Sequence, residues 1–232
     1  MSSATNVVPP KAVPRSPGFL TSSVGMKVVM AATGVVWFGF VGIHMIGNLQ
    51  VYLGPEALNH YAVFLRELFH GAALWIFRAV LLAAVGLHIW SATVLTLENW
   101  RARPTGYRRL AWRESDYASR TMVWSGPILA LFLVYHILHL TTGNAHPDFV
   151  EGDVYRNFIV GFQSLPVSLF YMVAMLALGF HLWHGVWSML QTFGLAHPRF
   201  NRLRHVFATV YAVVVVGGNL SFPIAVLTGV LR

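Results

Sequence analysis

Five stretches of this sequence are long and apolar enough to cross the ~30 Å hydrocarbon core of a bilayer at ~1.5 Å of rise per helical residue. They run roughly over residues 28–47, 74–97, 121–142, 165–193 and 206–231. Five such runs in 232 residues leave little chain for anything else. The fold class is therefore all-α integral membrane, with five transmembrane helices. Charge agrees, since only 10% of residues are charged where a soluble domain carries roughly 25%. Cysteine is absent, which removes disulfide frameworks, thiolate-held iron–sulfur clusters and Cys-based zinc sites within this chain.

The basic residues orient the spans. Lys11, Arg15 and Lys27 precede or open the first span, Arg101, Arg103, Arg108, Arg109, Arg113 and Arg120 lie in the second connection, and Arg199, Arg202 and Arg204 in the fourth. That places 12 of the 16 Lys and Arg on one side. Basic loops stay cytoplasmic, so the N-terminus is expected inside and the C-terminus outside. The net charge of +8 is then a topological signal. No soluble basic surface for nucleic acid is evident, whereas the inner loops suit a protein partner or anionic lipid heads.

Residues 1–22, with four prolines and no long apolar run, read as a mobile cytoplasmic tail, and residues 23–232 as the membrane domain. Pro166 suits the first turn of the fourth helix, and Pro223 predicts a kink in the fifth. Residues 55–69 begin with proline and space Ala57, Tyr61, Phe64 and Leu68 three or four apart. That spacing predicts an amphipathic helix at the outer interface.

Eleven histidines outnumber the eight acidic residues, and each of the first four spans holds one well inside: His44, His88, His136 and His181. His44 and His136 are 92 residues apart, and His88 and His181 are 93 apart, so spans one and two look duplicated as spans three and four. His44 and His136 each follow a glycine, Gly34 or Gly126, by ten residues, and the other two share Gly86-Leu87-His88 and Gly179-Phe180-His181. Helix direction puts His44 and His136 toward the outer leaflet and His88 and His181 toward the inner one. Two neutral imidazoles facing one another inside a bundle, twice over, are what bis-histidine haem iron needs. Gly34 at the depth of His88 would leave room for a flat ligand. Taken singly, a histidine in a membrane helix also serves as a hydrogen-bonded packing residue.

Further phrases, KVVMAATGVVWFGFVGIHMIGNLQVYLG, NHYAVFLR, LHIWSATVLTLENWRARPTGY, SRTMVWSGPILALFLVYHILHLT and GFHLWHGVWSMLQTFGLAHP, resemble the cytochrome b membrane anchor of succinate dehydrogenase/fumarate reductase. The resemblance is to its fused single-subunit, five-helix, di-haem form. It implies a di-haem four-helix bundle made by the first four spans. It implies haem b twice, with His44 and His136 on the outer, distal iron and His88 and His181 on the inner, proximal one. It also implies flavoprotein and iron–sulfur subunits on the cytoplasmic side, a quinone (menaquinone is expected), a bacterial inner membrane, and a higher oligomer of the complex. No dehydrogenase activity is expected of this chain alone.

His139 and His184 follow His136 and His181 by three residues and compete with them as ligands. The alternatives for both are an interfacial hydrogen bond, a haem-propionate contact or a quinone contact. Arg78 pairs with a distal propionate or snorkels to the interface. His60, Arg66, Glu67 and His70 offer proton-transfer groups to a quinone, or are the polar face of the interfacial helix. Two other functions stay open: the quinone-reactive di-haem anchor of a hydrogenase or formate dehydrogenase, and a haem-free transporter or structural anchor.

Overall fold

A computed structural model describes residues 18–102 and 117–232. Most of the tail, and the basic residues Arg103, Arg108, Arg109 and Arg113, lie outside the described residues. Among those described, all regular structure is helical: α1 (Ser23–Asn48), α2 (Pro55–Glu67), α3 (Ala72–Arg101), α4 (Tyr117–Leu140), α5 (Val154–Gln163), α6 (Leu165–Thr192) and α7 (Pro198–Leu227), with short 3-10 turns before and after α1. Helices α1, α3, α4, α6 and α7 are the five long and apolar enough to span a membrane.

Local chemistry sets their ends. Ser22 accepts the Gly25 amide at 3.1 Å and caps α1. Gly25 is required there, because a Cβ would meet the Phe19 carbonyl oxygen at 1.8 Å. Proline occupies the first turn of α6, as expected, and of α7. The fifth helix starts eight residues earlier than hydropathy indicates and ends four earlier. His197 caps it through the Arg199 amide, and its first two turns carry arginines suited to headgroup depth rather than hydrocarbon. At the other end Gly229 turns the chain at φ +76°, so that Leu231 returns into the packed core. Pro223 lies inside α7, which continues to Leu227.

Consecutive spans run in opposite directions. We call the side where α1 begins the tail side, and the opposite side the far side. Helix α1 packs on α3 and α6, and α6 packs on α4. The order around the bundle is therefore α3, α1, α6, α4, and α3 and α4 do not close against each other. Helix α7 lies along α6 and touches α1. Burial follows: a third of the most apolar window of α6 and of α7 is buried (33%), against 11% in α3 and in α4.

On the far side α2 and α5 form a cap. The predicted interfacial helix is α2, anchored by buried Leu58 and by Tyr61 lying against Gly47, while Phe64 stays exposed. Helix α5 was not expected from the sequence. Asp153 caps it, accepting the Arg156 amide at 3.1 Å and an Asn59 side-chain N–H at 3.0 Å, and Asn59 Oδ1 accepts the Tyr155 amide at 2.9 Å. These bonds hold the Asp153 carboxyl below the usual carboxylate range, the Asn59 bond most of all. Phe158, Ile159 and Phe162 of α5 then join Val51, Leu58, Tyr171 and Phe222 in the largest apolar cluster.

Candidate functional site

The four repeat-related histidines meet as two pairs, each bridging diagonally opposite helices. His44 of α1 faces His136 of α4 with ring centres 5.8 Å apart and planes at 85°. His88 of α3 faces His181 of α6 at 6.2 Å and 55°. Neither helix pair is packed directly together, so the rings look at one another across the bundle interior. His44 and His136 lie in the last turns of helices that end on the far side, and the other pair lies nearer the tail side.

Each pair is held from outside by hydroxyl groups. His88 Nδ1 is 3.1 Å from Thr33 Oγ1. The Thr33 hydroxyl proton goes to the Val29 carbonyl at 2.8 Å, so the imidazole donates from Nδ1 and keeps its lone pair on Nε2. His181 Nδ1 is 3.4 Å from Ser125 Oγ, and both hydroxyl residues are buried. On the far side His136 Nδ1 is 3.4 Å from Tyr171 Oη. Fixing a ligand imidazole through its second nitrogen sets both its tautomer and its orientation. Flat rings shield the far-side pair: Phe40 stacks on His44 at 5.2 Å and Phe132 on His136 at 5.7 Å.

Sequence reasoning used the glycines of this repeat and missed their neighbours. Thr33 and Ser125 each precede the repeated glycine, and Phe40 and Phe132 each precede the ligand by four; both couples are 92 residues apart. The period that found the histidines would have found these too. At Gly34 a Cβ would lie 3.8 Å from His88 Cε1, and at Gly126 no described atom comes within 4 Å. Met189 Sδ lies 4.0 Å from the same position at Gly34, so a Cβ at either glycine would meet no described atom closer than ordinary contact.

The residues fit an iron between each pair. An imidazole nitrogen approaches a metal such as zinc to about 2.0–2.1 Å and lies ~1.1 Å from its own ring centre, which puts two rings on opposite sides of one metal roughly 6 Å apart. Both pairs have that spacing. Among the described residues no group of three or more His, Asp or Glu is arranged for a metal ion, so only two-ligand sites are on offer.

The remaining named residues sit elsewhere. His139 is fully buried, bonded through Nδ1 to Tyr171 at 3.0 Å and stacked on His146 at 5.1 Å. His184 lies one turn beyond His181, beside Trp187 at 5.9 Å. Trp187 in turn stacks on His205 and carries the Arg204 guanidinium over its ring. Arg204 is buried; it donates to Asn201, and its Nε and Nη1 have no partner among the described residues. Arg78 is exposed with its guanidinium 4.9 Å from the Trp75 ring centre. His60, Arg66, Glu67 and His70 are all exposed on α2 and the turn after it, and among the described residues no hydrogen bond or ion pair joins one of them to another. In that turn Phe69 and His70 both adopt positive φ (52° and 55°), a conformation uncommon for non-glycine residues.

No curated protein and no solved structure matches this chain. A family match does exist, over residues 99–218, from the end of α3 through most of α7 and including His136 and His181. With more than half of its length so matched, and five membrane-spanning helices, this chain belongs to the family of succinate dehydrogenase/fumarate reductase transmembrane subunits.

Proposed function

We propose that this multi-pass anchor carries electrons between an iron–sulfur subunit and membrane quinone through two bis-histidine haems b. The observation that supports this most is the pairing of four repeat-related imidazoles at 5.8 and 6.2 Å across the bundle. His88 and His181 hold the haem nearer the tail side, His44 and His136 the one nearer the far side. Bound there, the haems supply one-electron relay centres stacked through the bilayer.

The chain's own residues do the rest. Thr33, Ser125 and Tyr171 fix the ligand tautomers. Arg204 and His184, both beside Trp187, are the polar groups proposed for a cofactor carboxylate at the tail-side end. The tail side faces the cytoplasm of a bacterium, where its basic loops dock the iron–sulfur subunit, which is joined to a flavoprotein. On the far side His60, Arg66, Glu67 and His70 offer exchangeable protons to a quinone, menaquinone by resemblance, and Arg78 stands near the start of α3. His139 takes no part in iron ligation in this reading. Complexes of this kind then assemble further in the membrane.

Purified complex should show reduced-minus-oxidised α-bands of haem b at two haems per chain, together with succinate–quinone activity. A preparation that retains its partner subunits but shows no haem b α-band would leave a haem-free structural anchor. One with the bands that brings down a hydrogenase or formate dehydrogenase would reassign the partner.

A further inference from the structure

One ring of the far-side pair is tied through a tyrosine to a second buried histidine. Tyr171 Oη lies 3.4 Å from His136 Nδ1 and 3.0 Å from His139 Nδ1. A phenol has one proton to give. With His136 presenting Nε2 to iron, its own proton sits on Nδ1 and is donated to Tyr171 Oη. The phenolic proton then goes to His139 Nδ1, and His139 carries its proton on Nε2.

The surroundings hold this order in place. Phe162 meets Tyr171 edge-on at 4.8 Å, and Tyr135 stacks on His139 at 5.4 Å. His146 stacks on His139 and is itself locked, accepting the Asp148 amide at Nδ1 (3.1 Å) and donating from Nε2 to the Asn157 carbonyl (2.8 Å). Helix α5 can approach only because residue 161 is glycine; a Cβ there would lie 2.8 and 2.9 Å from His139 Cε1 and Nε2. His139 Nε2 is buried with no partner among the described residues, so the ring is held by Tyr171 and by stacking.

We infer that Tyr171 and His139 are positioning residues for the far-side ligand, setting the ring plane of His136 and the electron donation of its Nε2 independently of the tail-side pair. The inference rests on the bis-histidine reading above. An Nδ1–H given to a phenol that is itself polarised by an imidazole makes His136 a stronger donor to iron. That stabilises the oxidised metal, so the dyad lowers the far-side potential. The same bonds hold His136 near perpendicular to His44, an arrangement that gives a highly anisotropic low-spin signal.

The test is redox titration of the intact complex, followed by visible and electron paramagnetic resonance spectra, for wild type, Tyr171→Phe and Gly161→Ala. Tyr171→Phe should raise one of the two haem potentials and move only the near-perpendicular signal, or release that haem alone. Gly161→Ala touches neither His136 nor Tyr171, and its methyl forces His139 to shift; it should give the same change with smaller amplitude. Unchanged potentials and signals in both variants, or equal shifts of both haems, would overturn the inference. A wild-type complex without haem would instead sink the reading on which it rests.

Discussion

The two histidine pairs are built from one repeat but supported in different ways. At the tail side the repeat pattern is kept: Thr33 and Ser125 occupy equivalent positions in the two halves, and each bonds the Nδ1 of a paired histidine on a neighbouring helix. At the far side the halves have diverged. The 93-residue period that relates His88 to His181 relates Arg78 to Tyr171, and the 92-residue period relates Gly47 to His139. One half therefore places Tyr171 and His139 behind His136. The other places Tyr61 against Gly47 and turns Arg78 outward onto Trp75. Symmetry was kept on the side where the chain receives electrons in the proposed function. It was given up where the cap of α2 and α5 meets the outer surface.

The largest expected effect tests whether the pairs are independent. Replacing His44 or His136 with alanine should halve the haem-to-protein ratio, and so should replacing His88 or His181, each class losing a different spectral component. Pyridine haemochrome assay with redox titration reads this directly. Loss of both haems from any single replacement would make the bundle one cooperative site. Loss of a haem from His139→Ala but not from His136→Ala would move the far-side ligand by one turn.

Next in size is the space beside the repeated glycines. Gly34→Leu should empty the tail-side site while leaving the far-side one filled, because only His88 and Met189 lie near that position. Gly34→Ala sharpens the point. In the protein alone a methyl fits, and replacing a mid-helix glycine should stabilise α1 by roughly 0.5–1 kcal/mol. A variant that is more stable without haem yet binds it less well would show that the gap is a cofactor's. Thr33→Val comes third: it keeps the shape and removes a hydrogen bond of about 0.5–1.5 kcal/mol. The tail-side potential should rise with both haems retained and the far-side potential unmoved.

Much of this comparison was legible in the sequence, and the illegible part has a physical cause. Span positions followed from hydropathy because lipid imposes length and apolarity on every helix that crosses it. The pairing of His44 with His136 and of His88 with His181 followed from a repeat period and from helix direction. Helix α5 escaped because it is ten residues long, though Asp153 as its cap and apolar residues at 154, 155, 158, 159 and 162 were a usable signal. Tyr171 escaped for a deeper reason. No counterpart stands at its repeat position, so only three-dimensional proximity connects it to His136 and His139. The residues proposed for the quinone site were read from their chemistry, and the fold leaves them exposed and unconnected to one another among the described residues.

The smallest effect distinguishes the pairs by pH. Asp153 locks α5 to α2 through Asn59, and α5 in turn backs His139 through Gly161. Its carboxyl is held below the ordinary range by the Asn59 bond first and the Arg156 amide second. A depressed folded value means that the contribution is complete above the unfolded carboxylate pKa of about 3.9 and is lost as pH falls through the lower folded value. Acidification below about pH 4 should therefore loosen the cap, increasing hydrogen exchange in α5 and broadening the far-side haem signal before the tail-side one responds. Asp153→Asn keeps an oxygen for the cap, and the two residues cap helices about equally well. It should leave exchange at neutral pH nearly unchanged and abolish the acid response. Asp153→Ala should lose about 1 kcal/mol at neutral pH, a deficit that shrinks as the wild-type carboxyl protonates in acid. If the tail-side signal broadened first, or Asp153→Asn kept the acid response, the cap would not be what sets the far-side pair apart.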